Sequence, residues 1–597
     1  MKYLLLASSL ASLGLAADVD KREGGPSALE AFYESENDSL ARYTLIALAC
    51  TAMLYGTWQL GVHFIAHLRR LSTFGDDRQR YFVPANEIYA SLKRYLIYAP
   101  LFHNRHNREF QLSQAINMGN LPSRMHGLLV IGIVAMNVVV CVVTVPYAAQ
   151  EETTAGIIRN RTGTMATVNL IPLVILAGRN NPLIAMLRVP FDTWNLLHRW
   201  LGRIVVLEAL AHTFAWAIPK AQEAGWSIVG EAIQGSMFIL SGLVASCAMT
   251  AILLHSPSPI RHAFYETFVH LHFAIVAVCM GFLWIHLNGM IAQRYLLASI
   301  ILWALERLVR LIFLAYRNFG YDPTKATVEV MPGDAMRITL CLARPWKFRP
   351  GQHIYLYIPA VALWTSHPFS VAWSDTEDAI SHEKTLPMAN HDLLHAPHRT
   401  TLSLLVRRRT GMTDKLFQYA ANSLGSRVTL RAFAEGPYGS LHSMDSYGTT
   451  MLFAGGVGIS HQVPFVRHLV EGFAEGTVAT RRLTLVWIIQ SPEHLEWIRP
   501  WMTSILAMDR RREVLRIMLF VTRPRNTKEI QSPSATVQMF PGRPNIDTLV
   551  SMEVENQVGA MGVLVCGNGS LSDDVRHVCR KRQSGSNIDF FEESFSW

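Results

Sequence analysis

Four histidines form two equally spaced pairs inside apolar stretches of the chain, His198 with His212 and His272 with His286. Each pair spans fourteen residues, about 3.9 helical turns, so its members face one side of a helix about 21 Å apart along the axis. Two such helices side by side would oppose histidine to histidine near each face of a bilayer, whose hydrocarbon core is about 30 Å thick. The spacing predicts two bis-imidazole sites, each shaped for a haem, because ionisable groups at that depth are usually functional. The alternative is four buried polar residues that bond to neighbours on their own helices.

The second half of the chain carries a glycine turn of the kind that binds phosphate. An apolar run at 451–454 continues into Gly455, Gly456, Gly458 and Ile459, and an amphipathic helix follows. A buried strand that opens through glycines onto a helix N-terminus sets backbone N–H groups against a pyrophosphate. The pattern therefore predicts a nucleotide-binding turn.

Further apolar runs at 482–489, 515–521 and 561–566 predict the other strands of an α/β domain. The last run ends in Cys566 and Gly567, at the edge where α/β domains bind their ligands. Ahead of this domain, alternating runs between Gly and Pro turns predict a small antiparallel β-barrel. These runs lie at 326–342, 353–358, 370–373, 401–407 and 427–433. The order of barrel, glycine turn and terminal Cys-Gly turn predicts a flavin domain followed by a nicotinamide nucleotide domain.

The elements that position these groups belong to two environments. Of 597 residues, 50% are hydrophobic and 17% are charged, against about 25% charged in ordinary soluble proteins. Seven apolar segments long enough to cross a membrane precede residue 318. They lie at 41–68, 125–148, 164–187, 195–217, 228–254, 263–287 and 292–316. We predict a multi-domain chain with an α-helical transmembrane bundle at 41–317, an antiparallel β-barrel FAD domain at 318–446 and an α/β nucleotide-binding domain at 447–597.

The N-terminus is typical of a secretory signal peptide at 1–17, followed by a short extracellular segment at 18–40. A membrane span at 3–17 is the less favoured alternative because the run is short. An outside N-terminus and seven spans put the C-terminal half in the cytoplasm, and the basic residues of 69–108 agree with that orientation. Asn37 and Asn160 lie in sequons on the predicted outer side and are candidate glycosylation sites. Positive-inside bias explains the net charge of +9, so we expect membrane lipid and no nucleic acid as a partner.

Distinctive stretches surround the histidines. Ala-Gly-Arg-Asn-Asn-Pro-Leu lies at 177–183, Phe-Asp-Thr-Trp-Asn at 191–195 and His-Arg-Trp-Leu-Gly-Arg at 198–203. Leu-His at 271–272 and Trp-Ile-His at 284–286 follow, ahead of Trp303, Glu306 and Arg307. In these stretches the chain resembles the fungal ferric/cupric reductases, transmembrane members of the ferredoxin-NADP reductase superfamily that are related to the NADPH oxidases. The resemblance runs from about residue 41 to Trp597.

The resemblance implies an inner haem on His198 and His272 and an outer haem on His212 and His286. His270 competes with His272, but it would break the fourteen-residue interval to His286. The positions that match the family's FAD-binding segments and terminal aromatic are His367, Pro368, Phe369, Ser370, Arg407, Gly411, Thr413 and Trp597. Those that match its NADPH-binding turns are Gly455, Gly456, Gly458, Ile459, Cys566 and Gly567.

By this resemblance, NADPH passes a hydride to FAD, and single electrons then cross the plasma membrane through two b-type haems. The acceptors are ferric or cupric chelates, reduced for uptake by an iron or copper transporter. An internal secretory-pathway membrane is the alternative location. An NADPH oxidase that produces superoxide by the same path is one alternative function. A non-enzymatic haem-binding channel or transporter with a flavin-like fold is another.

The chain departs from the family pattern at two places. An arginine is expected at the end of the second nucleotide-domain strand, but Gln490 stands there and offers no charge to a 2′-phosphate. Arg523 or Arg525 would compensate, so NADPH is favoured over NADH. A polar insertion at 374–400 carries His382, His391, His395 and His398. We interpret it as a solvated loop rather than a metal site.

Overall fold

The computed structural model of the chain describes residues 28–73, 77–102, 111–113, 116–117, 121–145, 151–344, 346–363, 365–377, 399–524 and 530–593. The predicted signal peptide, the four histidines of the 374–400 insertion, Arg525 and Trp597 lie outside these residues. The chain divides into two compact units. The first takes residues up to Gly56, Leu129–Asn181 and Trp194–Leu305, and the second takes Thr57–Leu128, Pro182–Thr193 and everything from Glu306 onward.

Helices make up most of the first 318 residues. They are α1 (Ala28–Ser72), α2 (Glu87–Leu92), α3 (Arg124–Val142), α4 (Glu151–Val168), α5 (Leu170–Ala177), α6 (Pro182–Leu187), α7 (Phe191–Ala224), α8 (Trp226–Gly235), α9 (Met237–His255), α10 (Ser258–Ala263), α11 (Tyr265–His286) and α12 (Ala292–Asn318). A π-helical turn, Lys93–Ile97, follows α2, and a hairpin of β1 (Gln111–Ser113) and β2 (Ile116–Asn117) precedes α3. Five helices of the described chain are long and apolar enough to span a membrane, namely α1, α3, α7, α9 and α11.

Two of the seven predicted segments are not among the candidate spans of the described chain. The 164–187 segment is divided among α4, α5 and α6. Pro172 has no N–H for the Val168 carbonyl, so the helix breaks after Val168. The 292–316 segment is a single helix, α12, with Glu306, Arg307 and Arg310 in its C-terminal half, and it is not among the candidate spans of the described chain. The helix α1 also begins at Ala28, inside the predicted extracellular segment.

The predicted barrel region forms a curled antiparallel sheet of seven strands. The strands are β3 (Lys325–Met331), β4 (Ala335–Cys341), β5 (Gln352–Tyr357), β6 (His367–Glu377), β7 (Arg399–Arg407), β8 (Arg427–Arg431) and β9 (Phe433–Gly439), in the order β8-β3-β4-β7-β6-β5-β9. One helix, α13 (Met412–Ala421), packs against the same core. The run predicted at 326–342 is two strands because Gly333, at a φ of +72°, turns the chain between β3 and β4.

The last part of the chain is a parallel sheet of six strands, as the apolar runs predict. The strands are β10 (Thr449–Gly455), β11 (Arg482–Ile489), β12 (Leu515–Val521), β13 (Val537–Pro541), β14 (Met561–Cys566) and β15 (Ile588–Glu593), in the order β13-β12-β11-β10-β14-β15. The helices that accompany them are α14 (Ile459–Glu475), α15 (Arg499–Leu506), α16 (Arg511–Val514), α17 (Ile546–Glu555) and α18 (Gly569–Lys581). Because β10 and β14 are buried in the middle of the sheet, their carboxyl ends are held rigidly side by side.

Candidate functional site

The two predicted nucleotide turns meet at the carboxyl edge of the parallel sheet. Ala454 pairs with Cys566 across β10 and β14, so both strands end at the same level. A Cβ on Gly458 would clash with the carbonyl oxygen of Cys566, and a Cβ on Gly567 would lie 3.1 Å from the backbone nitrogen of Gly455. Only glycines allow the two turns to approach this closely.

The glycine turn opens onto a helix start. Gly456, at a φ of +55°, begins a single 3₁₀ turn that leads into α14 at Ile459. The first N–H groups of a helix have no partner within the helix, and they carry the positive end of its dipole. The turn can therefore hold the pyrophosphate of a dinucleotide.

The strand end at Cys566 is buried and uncharged. Glu593 on β15 is the register partner of Cys566. Burial, with a further contribution from the carboxylates of Asp192 and Glu592, raises the pKa of Glu593 to about 8. Burial and the nearby Glu593 also raise the pKa of the Cys566 thiol. Cys566 is therefore a neutral thiol at pH 7, which suits a surface predicted to flank a nicotinamide ring.

The predicted flavin residues lie on two neighbouring strands. The tetrapeptide His367-Pro368-Phe369-Ser370 opens β6, and Arg407 closes β7. Val371 pairs with Leu404 in antiparallel register, so the start of β6 and the end of β7 lie at the same edge of the sheet. Ser370 is buried, whereas Arg407 is exposed.

The turn after β7 is open to solvent and is held by a hydrogen bond between two of its own residues. Gly411 has a φ of +79°, and no atom lies within 4 Å of the position that its Cβ would take. The hydroxyl of Thr413, in the first turn of α13, accepts the backbone N–H of Arg409 at 3.0 Å. The exposed Arg407 and this turn can receive an anionic group such as the FAD phosphates.

Replacing Gly458 with alanine is expected to abolish reduction that depends on NADPH, because the new methyl group must push the glycine turn off the carbonyl of Cys566. FAD content should stay at the wild-type level, since no predicted flavin residue lies in this turn. The check is steady-state turnover with NADPH alongside flavin quantification. Gly476→Asn is the matched control: Gly476 caps α14 at a φ of +71° in open space, and asparagine tolerates that conformation. Normal NADPH turnover in Gly458→Ala would contradict the assignment.

The four histidines lie opposite one another on α7 and α11. The ring centres of His198 and His272 are 6.4 Å apart, and those of His212 and His286 are 6.1 Å apart. Two imidazoles that bind one iron through Nε2 have ring centres roughly 6 Å apart, since a metal–imidazole bond is about 2 Å long. Both pairs therefore have the separation that a bis-histidine haem needs.

Main-chain carbonyls orient three of the four rings. Nδ1 of His198 donates to the carbonyl of Leu173 at 3.0 Å. His212 and His286 donate in the same way to the carbonyls of Arg159 and Phe238, each at 2.8 Å. A carbonyl only accepts, so Nδ1 carries the proton and Nε2 keeps the lone pair that a metal requires.

Two glycines that the sequence reasoning missed make room for the outer pair. Gly163 lies four residues after Arg159 on α4, and Gly242 lies four residues after Phe238 on α9. A Cβ on Gly163 would lie 2.6 Å from Nδ1 of His212, and a Cβ on Gly242 would lie 2.7 Å from the ring of His286. Because each glycine has no side chain, the imidazole of His212 or His286 can reach the carbonyl that lies one helical turn before that glycine. A glycine inside an apolar helix was the only available sequence signal.

The two candidate glycosylation sites differ in exposure. Asn160 is exposed on α4, where its side-chain oxygen accepts from Arg159 at 3.0 Å. Asn37 is 4% exposed on α1 and accepts a hydrogen bond from the buried Arg161. A glycan requires an accessible side chain, so we retain the proposal of glycosylation for Asn160 alone.

Three protein-family models match the chain. They are a ferric reductase like transmembrane component at 162–283, an FAD-binding domain at 321–383 and a ferric reductase NAD binding domain at 447–580. In these three segments the chain is similar to ferric reductases. The resemblance predicted from the sequence is thus confirmed, and the protein is an oxidoreductase with FAD- and NAD-binding domains. The first match covers three of the four histidines and ends just before His286.

Similar curated proteins include ferric reductases of fungi. Ferric reductase transmembrane component 3 of Saccharomyces cerevisiae is 24% identical, over 85% of this chain and 71% of that protein. Ferric/cupric reductase transmembrane component 2 of the same organism is also 24% identical, over 83% and 70%. A probable cell surface ferric reductase of Aspergillus oryzae is 27% identical over 56% of this chain and 44% of its own length.

Solved structures with similarity to the chain include a cytochrome P450 reductase, GcoB, from Amycolatopsis. It is 21% identical over 45% of this chain and 69% of its own, with a TM-score of 0.29. A flavohemoglobin from Malassezia yamatoensis is 14% identical over 75% and 99%, with a TM-score of 0.31. Because these scores are low, the fold assignment depends on the observed sheets and the family matches.

Proposed function

We propose that the protein is a transmembrane metalloreductase that oxidises cytoplasmic NADPH and reduces extracytoplasmic ferric or cupric chelates. The observation that carries the proposal is the two histidine pairs, at 6.4 and 6.1 Å, in a chain that also has FAD- and NAD-binding domains. When bound, FAD converts a two-electron hydride into single electrons, and two b-type haems carry those electrons one at a time. The overall reaction consumes one NADPH and two Fe³⁺ and yields NADP⁺, two Fe²⁺ and one H⁺.

The chain's own residues bind and orient these groups. The nucleotide pyrophosphate would be held by the turn at Gly455, Gly456 and Gly458, with Ile459 at the start of α14. The nicotinamide would be flanked by Cys566 and Gly567. FAD would be held at the edge of the curled sheet by His367–Ser370, Arg407, Gly411 and Thr413. By the resemblance, Trp597, which lies outside the described residues, would stack near the flavin. The pairs His198–His272 and His212–His286 would each hold one haem iron through their Nε2 atoms. Metal reduction needs no general acid or base in the membrane, because it is an outer-sphere electron transfer.

We place the protein in the plasma membrane with its N-terminus outside and its sheet domains in the cytoplasm. Five candidate spans and the basic residues in the last turn of α1 support a multi-pass arrangement of this orientation. The name of the Aspergillus oryzae relative, a cell surface ferric reductase, supports the location. The product is Fe²⁺ or Cu⁺, so an iron or copper transporter is the partner that the chemistry implies.

Sealed vesicles test this function. The purified protein is reconstituted, and NADPH is supplied only on the side of the sheet domains. A ferric chelate and a ferrous-trapping dye are placed on the other side under anaerobic conditions. We expect two trapped Fe²⁺ per NADPH oxidised. NADPH oxidation that requires O₂, with no Fe²⁺ formed without it, would instead identify a superoxide-producing oxidase.

We also propose that Arg523 selects NADPH over NADH. Its backbone N–H donates to the carbonyl of Gln490 at 3.0 Å, so this exposed arginine stands beside the position where the family has a cation. Arg523→Ala is expected to raise KM for NADPH about tenfold, since a hydrogen bond to a charged group contributes about 1.5–3 kcal/mol. KM for NADH should not change. Arg516→Ala, at the opposite end of β12, is the matched control, and an equal effect on both nucleotides would contradict the role.

A further inference from the structure

His272 differs from the other three candidate haem ligands. Their Nδ1 atoms each donate to a main-chain carbonyl, whereas Nδ1 of His272 is buried and bonds to no group of the described chain. A buried donor left without an acceptor destabilises the folded protein. Metal-binding histidines almost always give their second ring N–H to an acceptor, which fixes the ring orientation. An acceptor for His272 should therefore lie nearby.

His255, the last residue of α9, is positioned to be that acceptor. Its ring centre lies 5.9 Å from that of His272, with 37° between the ring planes. Phe268 packs against both rings, at 5.0 Å from His255 and 5.6 Å from His272. Two imidazoles joined by a hydrogen bond have ring centres about 5 Å apart, given an N···N distance of about 3 Å. The observed separation of 5.9 Å exceeds this value by about 1 Å.

The protonation of the two rings is complementary. Nδ1 of His255 lies 3.0 Å from the carbonyl of Ala251, which only accepts, so the proton of His255 is on Nδ1 and its Nε2 is an acceptor. This Nε2 is buried and, like Nδ1 of His272, has no hydrogen-bond partner in the described part of the chain. A His272 that gives Nε2 to iron must carry its own proton on Nδ1. One ring thus offers a donor and the other an acceptor.

We propose that His255 is a positioning residue for the inner haem, whose Nε2 accepts the Nδ1–H of His272. This inference rests on haem binding in the proposed function. The hydrogen bond replaces the carbonyl that the other three histidines use, and it gives His272 more imidazolate character. A more basic axial ligand favours the ferric state and lowers the reduction potential. His255 would therefore tune the inner haem through His272.

The test compares three variants of the full-length protein. His255→Phe keeps an aromatic ring against Phe268 but removes the acceptor. His255→Gln restores an acceptor through its amide oxygen. His270→Ala is the control, because His270 makes the same bond to a carbonyl four residues earlier, from Nδ1 to Glu266 at 2.7 Å. Haem per chain, the two midpoint potentials and the low-spin ferric EPR signals are measured for each.

We expect two haems per chain in all three variants. In His255→Phe, one midpoint should move to higher potential, its EPR signal should shift, and the other haem should not change. His255→Gln should return both readouts toward wild type, and His270→Ala should match wild type throughout. Unchanged potentials and EPR signals in His255→Phe would overturn the inference while leaving the proposed function intact. A wild-type protein without haem would instead remove the proposed function.

Discussion

Replacing Asp589 with alanine is expected to lower the free energy of unfolding by about 3–5 kcal/mol, because it leaves two buried cations without their counterion. Lys93 Nζ lies 2.6 Å from one carboxylate oxygen, and Arg69 Nη1 lies 3.5 Å from the other. The side chains of Lys93 and Arg69 are 2% and 7% exposed. Tyr447 donates its hydroxyl to the same carboxylate at 2.8 Å. The cluster thus ties the end of α1 and the turn after α2 to β15.

Burial alone would raise the pKa of Asp589, but Lys93 and Arg69 outweigh it and hold the pKa below its usual value. A carboxyl whose pKa falls on folding stabilises the protein fully above its unfolded pKa, about 4. The stabilisation is then lost as the pH falls through the lower pKa of the folded state. Wild type should therefore lose part of its stability below about pH 4, and Asp589→Ala should lack that component.

The stability lost in Asp589→Ala is measured by thermal unfolding, which is followed by flavin fluorescence. The matched control is Asp77→Ala, which removes an ion pair at the surface. The Asp77 carboxylate lies 3.0 Å from the Arg481 guanidinium, and the Asp77 side chain is 83% exposed. Exposed pairs contribute about 0–1 kcal/mol, so the control should unfold close to wild type. Equal unfolding temperatures for the two variants would contradict a stabilising role for the buried cluster.

Replacing Gly242 with leucine is expected to remove the outer haem and reduce transmembrane ferric reduction to background. The Cβ alone would lie 2.7 Å from the ring of His286, so the imidazole must leave both its carbonyl partner and its place opposite His212. Haem content should fall from two per chain to about one, because a haem iron needs its axial ligands in place. FAD content and NADPH-dependent reduction of a soluble dye should stay at wild-type levels.

Gly281→Leu is the matched control for this substitution. Gly281 lies on α11, between His272 and His286, and no atom lies within 4 Å of its Cβ position. A leucine there should keep both haems. If Gly242→Leu retained two haems and full ferric reduction, the second histidine pair would not be a haem site.

The sequence predicts what depends on local periodicity. The fourteen-residue intervals place four histidines on two facing helices because the helical repeat is the same everywhere. Runs of alternating or continuous apolar residues likewise indicate the strands of both sheets, and the glycines of the nucleotide turns mark the close approach of β10 to β14. The break at Pro172 was also visible in the sequence, but its apolar neighbours favoured an uninterrupted span.

Features that depend on distant contacts could not be predicted. Asp589 meets Arg69 across 520 residues of sequence, and no pattern in either segment indicates the other. The carbonyls of Arg159 and Phe238 are backbone atoms, which carry no residue-specific signal. His255 likewise has no distinguishing signal in the sequence, where it is one histidine at the end of an apolar helix. Its role becomes visible only because the fold brings its ring beside His272.

The central claim is that the two histidine pairs bind two haems. Its most direct test is a reduced-minus-oxidised absorption spectrum of the purified protein, with haem quantified per chain, for wild type and His286→Ala. We expect two b-type haems in wild type and about one in the variant, because His286 serves only the outer pair. A wild-type protein that purifies with FAD but without haem would contradict the claim, and the two pairs would then be helix-packing residues.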